Sequence, residues 1–167
     1  GKPELLQRGH FDDVDMVVMI HSGSSDSIDG CMGVSVSSNE FLAKTVRFLG
    51  CAAHAGVAPE KGVNALYAAN LAINAINAYR ETFRDEDCVR VHPIITKGGD
   101  IVNIVPSEVR METYVRGRTA AAVKDAATKV DRALRGGAMA MGCTVEIDTV
   151  PGFLALANDR RLTEVFR

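Results

Sequence analysis

The sequence predicts an α+β domain of the ferredoxin-like type, an antiparallel four-stranded sheet carrying two helices on one face. Three observations support this. Strand-like and helix-like segments follow one another as β-α-β-β-α-β, the split-βαβ order. The 167 residues suit one ordinary domain. The composition, 47% hydrophobic and 24% charged, is that of an average globular chain. Aromatics are scarce at 5%, with no Trp, so the core must be built from Ala, Val, Ile, Leu and Met.

The same arithmetic excludes several classes. A disordered chain, a collagen-like repeat and a coiled coil all need other compositions. Nineteen Lys and Arg against twenty-one Asp and Glu leave a formal charge of −2, so no basic surplus points to nucleic acid or an anionic membrane. No apolar run approaches the roughly 20 residues of a membrane span. The amino end, Gly1-Lys2-Pro3-Glu4, does not read as a signal peptide. Cys31, Cys51, Cys88 and Cys143 are isolated, with no C-x-x-C pair. They read as buried small hydrophobes in a reducing compartment, and a cytoplasmic location is expected.

The elements follow in order. Residues 15–21 form a continuous apolar run, Asp15-Met-Val-Val-Met-Ile20-His21, which suits a strand covered on both faces. A linker-like stretch, residues 22–27, comes next. Residues 41–51 read as a strand and 61–80 as a long helix. Residues 88–97 and 107–115 read as strands joined by Gly98-Gly99-Asp100 and an Asn103/Pro106 loop. Residues 119–141 form a second helix, with Thr119 as N-cap and Gly142 as C-terminal stop. Residues 143–150 are the last strand, ended by Pro151-Gly152.

The two helices differ. The second has Val123, Ala127, Val130 and Leu134 on one side and charges on the other, an ordinary surface helix. The first carries no charge from Val63 to Tyr79. Leu66, Ala69, Ile73 and Ile76 read as its core stripe, Asn70, Asn74 and Asn77 as an adjacent face, and Ala65, Ala68, Ala72 and Ala75 as the side opposite the core. An uncharged outer face of small residues is usually covered, and a homodimer is the commonest cover. The two ends of the chain read as pieces of one other domain, because the 15–21 strand wants neighbours and residues 158–166 start a short capped helix. The organisation expected is an insertion domain with stubs of its host.

Candidate chemistry is sparse. His54 lies among small residues on the loop between the first strand and helix, approachable and able to donate a hydrogen bond or move a proton. Asn103 follows Gly98-Gly99 on the hairpin connection and offers an amide that donates and accepts. Arg116, at a strand end before Gly117, can present its guanidinium fork to a carboxylate. His21 closes the apolar strand, where open α/β sheets place their sites. One His makes no metal site, and no partner stands at ligand spacing from it. His10 and His92 fall on surface and strand. No Ser-His-Asp order, Walker A loop, G-x-G-x-x-G or HExxH is present.

At three spaced stretches the chain resembles the dinuclear-metal peptidases and amidohydrolases, a family that includes aminoacylase, carboxypeptidase G and p-aminobenzoyl-glutamate hydrolase. The stretches are Phe48-Leu-Gly-Cys-Ala-Ala-His54-Ala-Gly-Val-Ala-Pro59 with Gly62-Val-Asn-Ala65, then Gly98-Gly-Asp-Ile-Val-Asn103-Ile-Val-Pro106, then Arg116 at the following strand end. The resemblance covers the family's inserted lid, or dimerisation, domain over residues 30–150. Residues 1–29 and 151–167 are then stubs of an α/β catalytic domain. Residues 9–21 look closest to the aminobenzoyl-glutamate hydrolase-like amidohydrolases.

The resemblance implies four roles. His54 would reach across a dimer and stabilise the oxyanion of the tetrahedral intermediate. Asn103 would bind the substrate's carbonyl or carboxylate, Arg116 its terminal carboxylate. His21 would be one ligand of a divalent metal pair, zinc or manganese, in the full-length enzyme. The implied substrate is an N-acyl or aminobenzoyl amino acid and the implied partner a second copy through the lid. The family's Glu pair, its late His and its other metal ligands match nothing here. The expectation is therefore that these 167 residues alone hydrolyse nothing and hold no metal tightly. A stand-alone dimeric small-molecule-binding module, and a purely structural dimerisation module, are the alternative readings.

Overall fold

A computed structural model of the chain describes residues 2–20 and 38–166. It divides into two compact units, residues 1–34 and 35–167. In the first, α1 (Lys2–Gln7) closes on itself through backbone bonds from Arg8 to Glu4 and from His10 to Leu5, with Gly9 at φ +76° making the turn. The apolar run that follows is not a strand. Residues 16–20 carry no strand hydrogen bonds and are all exposed, Ile20 to 89%. The expectation of a doubly covered strand is corrected for a plain reason: a strand exists only against a partner, and among the described residues none pairs with this run. His21 and Cys31 lie outside the described residues.

The second unit holds the expected α+β core. β1 (Glu40–Leu49), β2 (Arg90–Val91), β3 (Ile94–Lys97), β4 (Glu108–Gly117) and β5 (Thr144–Pro151) form one antiparallel sheet in the order β2-β4-β1-β5, with β3 also on β4. α2 (Ala65–Tyr79) and α3 (Ala120–Met141) pack on it, and α4 (Arg160–Val165), capped by Asp159, follows. The described residues form five strands where four were expected. The segment read as one strand over 88–97 breaks at His92-Pro93, because Pro has no N–H for the ladder. Its halves pair with opposite ends of β4, β2 at Val115–Arg116 and β3 at Arg110–Glu112, so together they occupy one edge position.

Alternation sets the two sheet faces. Val46, Phe48, Val109, Met111, Val115 and Val91 point toward the helices and are buried. Arg47, Glu108, Arg110 and Glu146 form an ion-pair cluster on the open face. One charge breaks the pattern. Lys44 is buried on the helix side, 2.8 Å from Asp131 and donating to Thr149 Oγ1 at 2.9 Å, the pairing a buried ammonium requires.

α3 starts at its Thr119 cap and stops at Gly142, φ +71°, as its sequence dictates. α2 begins later than expected. Val63 pairs back with Cys51, and Asn64 caps the helix by accepting from Leu66 and Tyr67. The faces of α2 are also corrected. Ala65, Ala68, Ala69, Ala72 and Ile76 are buried, while Leu66 and Ile73 are half-buried. The alanines expected on the outside instead face α3. A Cβ added at Gly137 would lie 2.5 Å from the Ala68 carbonyl and 2.7 Å from the Ala72 nitrogen, so the two helices meet backbone to backbone and only small residues fit between. The outer face remains uncharged, but it consists of Tyr67, Asn70, Leu71, Asn74, Asn77 and Ala78.

Candidate functional site

The His54 loop and the Asn103 loop are built side by side at one end of the sheet. β1 ends beside the start of β4, with Leu49 opposite Glu108. Beyond that point the two chains stay joined by backbone bonds: Gly50 to Ser107 at 2.8 Å, Val105 to Ala53 at 2.9 Å and Ala55 to Asn103 at 2.9 Å. His54 itself bridges to Ile104. Gly50 is required here, because a Cβ would stand 2.1 Å from the Val63 carbonyl oxygen. His54 and Asn103 are both exposed.

Within the loop, His54 Nδ1 accepts from the Gly56 N–H at 3.2 Å. A neutral imidazole with Nδ1 accepting carries its proton on Nε2. The outward nitrogen is thus a hydrogen-bond donor, suited to an oxygen that gains negative charge. Val57, Ile101, Val102 and Ile104 are exposed around it, Val102 completely. A cleft of about 470 Å³ opens beside them, lined by Leu66, Gly98, Gly99 and Pro106 among others.

Arg116 is not part of this cluster. It stands opposite Phe41 at the far end of β4, eight residues beyond Glu108, which at 3.4 Å per residue is about 27 Å away. Its guanidinium lies 5.4 Å from the Tyr114 ring centroid and 5.7 Å from that of Phe41. Phe41 packs against Tyr114 at 5.0 Å and edge-on against Phe153 at 4.8 Å, and its ring lies against Gly152, where a Cβ would come within 2.5 Å. Among the described residues Arg116 forms no ion pair, so the rings hold the charge without neutralising it. Sequence reading missed this aromatic grip. Tyr114 was legible, since two positions along a strand is the same face; Phe41 and Phe153 come together only through the register.

Among the described residues no three His, Cys, Asp or Glu side chains gather to hold a metal ion. None of their helices is long and apolar enough to cross a membrane. The thiols also differ from expectation. Cys51 is exposed, while Cys88 and Cys143 are partly covered, and burial raises the Cys143 thiol above its ordinary value.

Known proteins resemble the chain over most of its length. It is 33% identical over 149 residues to the Xaa-Arg dipeptidase of Mus musculus, covering 89% of this chain and 33% of that protein. It is 31% identical over 149 residues to a p-aminobenzoyl-glutamate hydrolase polypeptide of Escherichia coli, covering 87% of this chain and 33% of that protein. The chain thus spans about a third of the curated relatives it matches. The crystal structure of an aminobenzoyl-glutamate utilization protein from Klebsiella pneumoniae shares the fold, with a TM-score of 0.66 and 24% identity over 79% of this chain and 35% of that one. Matched from residue 40 to residue 140, the chain belongs to the peptidase dimerisation domain family.

Proposed function

We propose that the chain is the lid and dimerisation domain of a metal-dependent hydrolase that cleaves the amide bond of N-acyl or aminobenzoyl amino acids. The observation that carries this reading is the separation of His54 and Asn103 from Arg116 along β4. One chain alone does not bring the three to one substrate. A two-fold dimer does, because antiparallel edges reverse one sheet against the other and set the His54 end of one chain beside the Arg116 end of its partner. The β3 edge, with Ile94 59% exposed, and the uncharged face of α2 are the surfaces offered for that contact. The entering and leaving segments also run together, with the Phe41 N–H donating to Phe153, the Gly152 N–H to Phe41 and the Leu156 N–H to Ser38 Oγ. Adjacent ends suit a domain inserted into a host, here residues 30–150 between stubs 1–29 and 151–167.

In this reading a divalent metal pair, zinc or manganese, would be held by the rest of the enzyme with His21 as one ligand, and would supply an activated water when bound. The chain's own residues do the positioning. Arg116 fixes the substrate's carboxylate. Asn103 binds its carbonyl or carboxylate. His54 donates Nε2–H to the oxyanion as the tetrahedral centre forms. The 167 residues alone are inactive, and the whole enzyme works in the cytoplasm.

The test is complementation between two impaired variants of the hydrolase that carries this domain, assayed at substrate far below KM. His54→Ala should lower kcat about 100-fold or more, and Arg116→Gln should chiefly raise KM. Mixed together, the two variants assemble hybrid dimers with one intact composite site, so activity returns to about a quarter of the unaltered enzyme under random pairing. No recovery on mixing would place all three residues on one chain's site and overturn the arrangement.

A further inference from the structure

Arg116 has a like-charged neighbour. Arg90 of β2 stands directly across the ladder from it, in the register that also pairs Val91 with Val115. Both valines point into the core, so by alternation both arginines rise from the open face, and both are exposed. Side chains opposite one another on an antiparallel pair stand about 5 Å apart at Cβ, and like charges there repel. Nothing among the described residues neutralises them. Asp87 pairs with Arg84. Glu40 is turned to the buried side opposite Gly117. Glu112, on the open face, is four residues back along β4, about 14 Å away.

The two guanidiniums are held in place while their charge stays available. Phe41 and Tyr114 flank the Arg116 guanidinium, and among the described residues no acceptor takes its N–H donors. Arg90 gives one Nη1–H to the Val89 carbonyl at 2.9 Å, which leaves the rest of its five donors. Two adjacent forks with no acid between them match a ligand that brings two carboxylates of its own.

We infer that Arg90 is a specificity-determining residue, and that Arg90 and Arg116 together select an acyl derivative of a dicarboxylic amino acid. Arg116 takes the α-carboxylate and Arg90 the side-chain carboxylate. A basic side chain at that point meets positive charge and is rejected. The inference rests on the reading of Arg116 as the carboxylate clamp.

The chain itself allows a direct test. It is titrated with glutarate, and with butyrate as the single-carboxylate control, while the side-chain Nε–H signals of Arg90 and Arg116 are followed by NMR. Glutarate should move both signals and bind about two- to fivefold more tightly than butyrate, the range for an exposed ion pair. Arg90→Gln should erase that preference while butyrate still moves Arg116; Arg90→Lys, which keeps the charge, should retain it. Equal binding of the two acids, or a preference that survives Arg90→Gln, overturns the role of Arg90 and leaves Arg116 as clamp. Carboxylates that move Arg90 alone, with no effect of Arg116→Gln, overturn the clamp reading instead. No response at either arginine overturns both.

Discussion

Single residues here act through what their neighbours leave free. His54 has its Nδ1 occupied by the Gly56 N–H, which orients Nε2 as a donor. Arg116 is flanked by two aromatic rings, and no acceptor among the described residues takes its donors. Glu108 shows the opposite case, a charge fully engaged. It accepts from Arg110 and Arg47, and those hydrogen bonds hold its carboxyl below the ordinary 4.5. A carboxyl with a depressed folded value stabilises fully above its unfolded value, and that contribution disappears as pH falls through the folded one. Thermal melts should therefore lose stability as pH drops below 4.5, and Glu108→Gln should flatten this loss. Because the cluster is exposed, high salt should shrink the difference between the two proteins. Identical acid profiles for both would remove Glu108 from the explanation.

At the scale of elements, α3 was legible almost to the residue because its signals are local: Thr119 caps the helix by accepting from Ala122, and Gly142 ends it in the left-handed region. The faces of α2 were not legible in the same way. Alanine tolerates a core and a surface equally, so composition alone does not choose between two alanine-bearing sides. Gly137 chooses, by letting the backbones of α2 and α3 touch. Adjacent glycines in α3 give a matched test by urea unfolding. Gly137→Ala should destabilise by about 1–3 kcal/mol through overpacking. Gly136→Ala, with open space around it, should stabilise by about 1 kcal/mol through helix propensity. Equal effects at both positions would mean that the close approach does not control stability.

For the whole molecule, the exposed Leu71 on α2 and Ile94 on β3 lie on the surfaces proposed to meet a second copy. Sedimentation of the chain should show a dimer, and Leu71→Glu should shift it to monomer by burying an unpaired carboxylate in the contact. A monomer at every concentration would sink the dimer.

By itself the sequence determined the α+β class, the order of strands and helices from residue 41 to residue 150 and the α3 caps, and it offered three polar positions, His54, Asn103 and Arg116, as candidates. These rest on periodicity, capping and turn chemistry, which act within a few residues of chain. Only the tertiary structure decided that residues 16–20 form no strand, that Pro93 divides an edge strand, and that the alanines of α2 face inward. It also separated Arg116 from His54 along β4 while placing Arg90 beside it. The reason is the same in each case. Cross-strand register and helix crossing join residues distant in the chain, and no local pattern records which of them will meet.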